Sequence, residues 1–290
     1  MSATNRITTA LERALELGLR GEAGPPKLSM AVRDAIFPGG SRLRPQLCLA
    51  VAAACGDQQP EVTDAAAAAV ELLHCASLVH DDLPCFDDAD TRRGQPSIHV
   101  AHGQPLAVLC GDALIVLAFE QLAMRAALYP AQLAPLVQLF AGSVGMARGL
   151  CAGQGWECET NVNVSAYHLA KTGALFAAAT TAGALSVGAD PAGWQTLGAK
   201  LGEAYQVADD LRDVAATAAE LGKPTQRDIA LNRPSAVAEV GAQGALARLN
   251  SLVAQALDSI PACPGADQLR GQIELQAAAF LPPEMSQRVA

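Results

Sequence analysis

The chain has 290 residues, of which 51% are hydrophobic and only 4% aromatic, and its formal net charge at pH 7 is −9. An acidic chain lacks the basic surface with which proteins hold nucleic-acid phosphates, so we expect no nucleic-acid partner. Abundant alanine and few β-branched runs favour helix over strand, and the composition predicts one all-α domain over residues 1–290.

Neither the cysteines nor the N-terminus indicates secretion. The eight cysteines include no C-x-x-C pair and mostly lie in apolar helical patterns, so we expect buried, reduced thiols. Residues 1–20 have the pattern of an amphipathic helix rather than of a signal peptide, and we expect a cytoplasmic protein. The uncharged run 172–189 is rich in alanine and glycine, which favours a buried core helix over a membrane span.

Hydrophobic periodicity predicts helices along the whole chain. A short helix ends near Phe37, and a turn with two glycines then opens an apolar helix that runs through Cys55. The next helix begins near Val62 and has almost no polar face, so it should be central. Further predicted helices cover residues 106–128, 131–150, 167–187 and 194–214. The helices after residue 243 show no recognisable chemistry.

The first acidic cluster places five aspartates within residues 81–90, immediately before two arginines. On an unbroken helix Asp81 and Asp87 would point about 120° apart, but Pro84 must open or bulge the helix and could bring them together. Carboxylates suit Mg²⁺, and the guanidinium groups of Arg92 and Arg93 suit phosphate oxygens. The cluster is therefore either a site for a Mg²⁺–diphosphate complex or a solvated charged loop.

A second acidic group follows far downstream. Asp209 and Asp213 are four residues apart, so on a helix they share one face and can bind the same ion. His74 lies seven residues before Asp81 and shares its helix face, as a cavity-lining residue or as an ordinary core histidine. Lys171, at the edge of the uncharged run, is either functional or only extends to water.

The order of these features resembles the polyprenyl synthetase family, the trans-prenyl diphosphate synthases, from about residue 30 to 240. The matching features are the glycine-rich basic turn 39–45, the aspartate motif 81–87 with Arg92-Arg93-Gly94, Gly153-Gln154, Lys171-Thr172, the aspartate motif 209–213 and the Lys223 loop. Residues 74–77, 154–157 and 232–234 look most like bacterial geranylgeranyl diphosphate synthases of carotenoid pathways.

This resemblance implies a helical bundle of the isoprenoid synthase type with a central catalytic cavity, expected as a homodimer. It would condense isopentenyl diphosphate with allylic diphosphates, using about three Mg²⁺ ions. The implied metal ligands are Asp81, Asp82, Asp87, Asp209 and Asp213. The implied allylic diphosphate site is Arg92, Lys171, Thr172, Gln206 and Lys223. The implied isopentenyl diphosphate site is Gly40, Ser41, Arg44, His74 and Arg93.

The chain departs from the family pattern at Ser41, where a lysine normally pairs with isopentenyl diphosphate. A hydroxyl there replaces a full charge, and Arg42 could compensate by turning inward. Ala76 and Ser77, one turn before Asp81, would form the floor of the product tunnel. Both are small, so a twenty-carbon product, geranylgeranyl diphosphate, fits better than a fifteen-carbon one.

Three alternatives differ from this interpretation. A farnesyl diphosphate synthase is the nearest. A class I terpene cyclase would share the fold, but the second motif, with Arg44 and Arg93, argues against it. A non-catalytic regulatory subunit of a heteromeric synthase would have decayed aspartates, whereas both motifs are complete and only Ser41 raises the possibility.

Overall fold

The computed structural model describes residues 2–20, 24–37, 39–160, 167, 169–215 and 235–281, and within them helix dominates. This confirms the all-α prediction. The chain forms two compact units, residues 1–141 with 182–190 and residues 142–181 with 191–290. The single-domain assignment of residues 1–290 stays a prediction.

The first unit consists mainly of α-helices, with one pair of short strands. Its elements are α1 (Ala3–Leu19), α2 (Pro26–Ile36), α3 (Leu43–Cys55), α4 (Pro60–Asp81), β1 (Thr91–Arg92), β2 (Gln95–Pro96), α5 (Ile98–His102), α6 (Gln104–Arg125) and α7 (Pro130–Val144), whose last residues count with the second unit. The two short strands pair antiparallel and were not predicted.

Helix α4 is the core of the first unit, as its lack of a polar face predicted. It packs against α1, α2, α3 and α6, and most of its side chains are buried. Burying each Val or Leu stabilises the fold by roughly 1.5–3 kcal/mol. Its buried polar groups are partnered. Thr63 Oγ1 lies 3.1 Å from Asp57 Oδ1 and 3.0 Å from Ser186 Oγ, and Glu71 pairs with Arg42.

The second unit carries the downstream acidic group. Its elements are α8 (Leu150–Trp156), a π-helical turn (Leu169–Gly173), α9 (Ala174–Ser186), which continues into the first unit, α10 (Trp194–Ala215), α11 (Ala236–Asp258) and α12 (Ala266–Ala278). Helix α10 packs against α11 and the π-helical turn. Tyr205 on α10 contacts the rings of Phe176 and Phe280, with centroids 5.4 Å away in both cases.

The predicted continuous helix over residues 131–150 is wrong. Helix α7 ends at Val144, and α8 begins at Leu150. A Cβ on Gly149 would lie 2.5 Å from the carbonyl oxygen of Ser143, so the tight turn between the two helices requires glycine there.

The apolar run 172–189 covers the last two residues of the π-helical turn and all of α9, and its side chains are largely buried, as predicted. By length and composition alone, α4 and α6 are apolar enough to cross a membrane, but the most apolar window of α4 is 83% buried inside the protein.

All eight cysteines are free thiols, as predicted. Cys85, Cys151 and Cys158 are exposed, however, so the prediction that they are buried is wrong.

Candidate active site

The first acidic cluster folds back over the end of α4. The helix ends at Asp81, three residues before Pro84, whose missing N–H cannot continue the helical hydrogen bonds. The Asp87 amide donates to the Asp81 carbonyl at 2.9 Å, and the Ala89 amide donates to the Asp82 carbonyl at 3.1 Å. The predicted approach of Asp87 to Asp81 is thus confirmed for the backbone.

Asp82 is directed at Arg92 rather than outward. Asp82 is only 2% exposed, and its carboxylate accepts hydrogen bonds from Arg92 Nη2 and, at 3.0 Å, from Arg92 Nε. Burial raises the pKa of the Asp82 carboxyl, and the Arg92 guanidinium opposes that rise. The two residues therefore stabilise each other. If Asp82 also binds a metal ion and Arg92 also binds a phosphate, as predicted, both must do so while they remain paired or after the pair opens.

Four of the five residues predicted to bind isopentenyl diphosphate lie together. Arg93 Nη1 donates to the Gly39 carbonyl at 2.6 Å, and a Cβ on Gly40 would lie 2.5 Å from Arg93 Cζ. Gly40 also has a φ of +113°, which favours glycine. His74 Nε2 lies 3.4 Å from Arg44 Nη1 and 3.5 Å from Arg93 Nη2. The glycine turn thus lets Arg93 reach His74.

His74 is held in its neutral form. Burial and then the neighbouring charges of Arg44 and Arg93 place the pKa of its imidazole well below the usual value. A neutral ring can accept a hydrogen bond, whereas a protonated one would repel both guanidinium groups. The two arginines around His74 form a positive site that suits a phosphate or diphosphate group.

Ser41 is exposed beside this cluster, and its carbonyl accepts a hydrogen bond from Gln46 Nε2 at 2.8 Å. Arg42 does turn inward, but towards other partners. Its guanidinium donates to the Glu71 carboxylate and to the Ile36 carbonyl, and its side chain is only 11% exposed. Arg42 is therefore committed to a buried carboxylate and does not replace the missing lysine charge.

The two arginines after the acidic cluster also border open space within the first unit. Arg92 and Arg93 line a cavity of about 510 Å³, and apolar side chains of α4 and α5 form much of its wall. Of the two predicted tunnel-floor residues, Ala76 is buried, and the half-buried Ser77 donates its hydroxyl hydrogen bond to the His74 carbonyl at 2.8 Å. Their role in product length stays a prediction.

In the second unit the π-helical turn carries Lys171 and Thr172. A π-helical turn inside a helical segment is frequent at functional sites. The Lys171 ammonium lies 2.6 Å from Glu157 Oε1, and the Thr172 hydroxyl donates to Gln206 Oε1 at 2.9 Å. Thr172 and Gln206, 34 residues apart in sequence, are thus brought together as the resemblance implied.

Helix α10 presents Asp209 and Asp213 one turn apart, as predicted. Asp209 Oδ1 accepts a hydrogen bond from Arg212 Nη2 at 2.7 Å. Asp210 between them is buried and accepts hydrogen bonds from Gln206 Nε2 at 3.1 Å and from the Ala236 amide at 2.7 Å. Asp210 therefore fixes the start of α11, a structural role that the sequence did not indicate.

The donor chemistry of the two motifs fits Mg²⁺. Asp81 and Asp87 in the first unit, and Asp209 and Asp213 in the second, supply the hard carboxylate oxygens that this ion prefers. Within the described ranges, no three His, Cys, Asp or Glu side chains are grouped so that they could hold a metal ion by themselves. Ligand phosphates and water would complete the coordination. The predicted Lys223 lies outside the described residues, as do residues 232–234.

Proteins of similar sequence show which family the chain belongs to. The chain is 51% identical to the geranylgeranyl diphosphate synthase of Cereibacter sphaeroides over 289 residues, covering 100% of both chains. It is 50% identical to the geranylgeranyl diphosphate synthase of Rhodobacter capsulatus over 277 residues, covering 96% of both.

Solved structures resemble it as well. The geranyltransferase of Helicobacter pylori, crystallised with magnesium and isoprenyl diphosphate, matches with a TM-score of 0.78 and 29% identity, covering 95% of this chain and 97% of that one. The sequence profile described as Polyprenyl synthetase matches residues 25–263. The chain belongs to the polyprenyl synthetase family.

Proposed function

We propose that the chain is a Mg²⁺-dependent trans-prenyltransferase that condenses isopentenyl diphosphate with allylic diphosphates to make geranylgeranyl diphosphate. The observation that carries this proposal is the convergence of Arg44 and Arg93 on a neutral His74, which lies two helical turns before the acidic loop of Asp81 and Asp87 in the sequence. The names of the two relatives at 51% and 50% identity support the same reaction and product.

The allylic diphosphate is assigned to the acidic motifs. Asp81, Asp87, Asp209 and Asp213 would hold about three Mg²⁺ ions, with Asp82 in support. When bound, Mg²⁺ neutralises the negative charge that grows on the departing diphosphate. Lys171 and Arg92, with Lys223, bind phosphate oxygens as cations and stabilise the same charge.

The second substrate is assigned to the first unit. Arg44 and Arg93 bind the diphosphate of isopentenyl diphosphate, with Gly40 and Ser41 at the edge of the site. The allylic C–O bond breaks, the double bond of isopentenyl diphosphate attacks the allylic carbon, and a proton is lost to the released diphosphate. The oxygens of Thr172 and Gln206, held at 2.9 Å from each other, offer dipoles to the transient cation.

The product length is assigned from the size of two side chains. Ala76 and Ser77 leave room on α4 where a larger side chain would shorten the product, so we assign a twenty-carbon chain. A farnesyl diphosphate synthase is the second candidate, and it differs from the first only in where elongation stops.

We also assign a homodimer in the cytoplasm, and the exposed face of α6 supports the dimer. Leu109 and Val116 are two helical turns apart on one face, at 50% and 64% exposure, and Met124 extends the apolar surface at 61%. Exposed apolar side chains that continue along one helix face can form the contiguous apolar patch of an association site. Sedimentation of the chain without detergent should give a dimer, and Val116→Glu should give a monomer; a monomeric unaltered chain would contradict the assignment.

The test of the reaction uses the purified chain with Mg²⁺ and labelled isopentenyl diphosphate. Dimethylallyl, geranyl and farnesyl diphosphates serve as separate starters, and chromatography sizes the products. We expect a twenty-carbon product from each starter, and none when EDTA removes the metal. Products that stop at fifteen carbons would support the second candidate. No incorporation with any starter would overturn the proposed function.

A further inference from the structure

Glu157, at the end of α8, makes two contacts that the proposed reaction does not yet use. Its Oε1 accepts a hydrogen bond from the Lys171 ammonium at 2.6 Å and another from the Tyr167 hydroxyl at 2.7 Å. The Glu157 and Lys171 side chains are only 15% and 20% exposed, so solvent screens the ion pair less than it would on the surface. One carboxylate oxygen therefore holds both side chains.

The backbone around this carboxylate is fixed by close packing. A Cβ on Gly153 would lie 2.7 Å from the Lys171 Cα, so only glycine lets α8 approach the π-helical turn this closely. The Lys171 ammonium also lies 6.0 Å from the centre of the Tyr167 ring. The long lysine side chain, which otherwise samples many rotamers, is thus restrained at both ends.

We propose that Glu157 is a positioning residue that holds the Lys171 ammonium where the allylic diphosphate binds. The inference rests on the proposed function, because it assigns Lys171 to that diphosphate. An ammonium group has three N–H donors, so Lys171 can donate to Glu157 and to a phosphate oxygen at once. Glu157 carries the same sign of charge as the substrate, so it favours binding only through Lys171.

This dependence on Lys171 predicts a specific pattern of Michaelis constants. Lys171→Ala should raise the KM for the allylic diphosphate about tenfold or more, because it removes a charge-assisted hydrogen bond. Glu157→Ala should raise the same KM about severalfold, and Glu157→Gln less, because the amide keeps an acceptor oxygen for Lys171 and Tyr167. The KM for isopentenyl diphosphate should stay unchanged in all three variants.

A double-mutant cycle separates positioning from a structural role. In the Lys171→Ala background, Glu157→Ala should add no further rise in the allylic KM, because there is no ammonium left to hold. Glu159→Ala, which alters an exposed carboxylate two residues away, is the matched control and should leave both constants unchanged. Thermal unfolding of each variant checks that the fold persists.

The outcomes distinguish a failure of the positioning role of Glu157 from a failure of the proposed prenyltransferase function. If Glu157→Ala leaves the allylic KM unchanged, or if its effect persists undiminished in the Lys171→Ala background, the positioning role is wrong while the prenyltransferase can stand. If the unaltered chain and the Glu159→Ala control both fail to extend any starter, the proposed function itself is wrong.

Discussion

Ser41→Lys tests the proposed isopentenyl diphosphate site at the position where the family pattern has a lysine. Ser41 is exposed beside the cluster of Arg44, His74 and Arg93, and Arg42 cannot supply the missing charge because Glu71 holds its guanidinium. A lysine at this position would add one charge-assisted contact to the diphosphate. Such a bond contributes about 1.5–3 kcal/mol when shielded. At an exposed position solvent screening reduces it to about 1 kcal/mol, or about fivefold in affinity.

The assay is the KM for isopentenyl diphosphate at saturating allylic starter. Ser41→Lys should lower that KM about fivefold and leave the allylic KM unchanged. Ser41→Gln is the matched control, because it offers a side chain of similar reach without a charge, and it should have a much smaller effect. An unchanged KM in a folded Ser41→Lys variant would show that Ser41 lies outside the site, and the assignment of the glycine turn to this substrate would fail.

Three further predictions concern other parts of the site. Asp81→Asn should lower kcat at least a hundredfold with little change in thermal stability; activity within tenfold of the unaltered chain would contradict a ligand role. Ala76→Phe should shorten the main product, and unchanged product chromatography would refute the tunnel floor. Between pH 7 and 5 the unfolded chain protonates His74 and the folded chain does not, so this residue alone should lower the free energy of unfolding by about 2 kcal/mol in denaturant titrations. His74→Gln should remove that part of the fall, and an equal fall in the variant would contradict a neutral ring.

The sequence was most informative where local chemistry decides the structure. The uninterrupted apolar pattern of α4 predicted a central helix, and Pro84 predicted the distorted turn that brings Asp87 back to Asp81. Helical spacing alone placed Asp209 and Asp213 on one face of α10. In these cases the relevant residues are within two helical turns of one another, so periodicity and proline geometry suffice.

Contacts between distant segments could not be predicted from single residue types. The neighbouring residues do not indicate that Arg42 pairs with Glu71, which is 29 residues away. They also do not indicate that Arg93 donates a hydrogen bond to the carbonyl of Gly39, 54 residues before it. The π-helical turn that carries Lys171 was not predicted either, because the apolar pattern there is that of an ordinary α-helix. Asp210 was grouped with its acidic neighbours, although its hydrogen bond to the Ala236 amide makes it structural.

The central claim of the proposed function is that binding of the allylic diphosphate requires Mg²⁺ and the carboxylates of both aspartate motifs. Calorimetric titration with an unreactive thio-analogue of the allylic diphosphate tests it most directly, for the unaltered chain, Asp81→Asn and Asp209→Asn. We predict binding that requires Mg²⁺ and that either substitution weakens strongly. Binding that is equally tight without the metal, or that survives the loss of either carboxylate, would contradict this account.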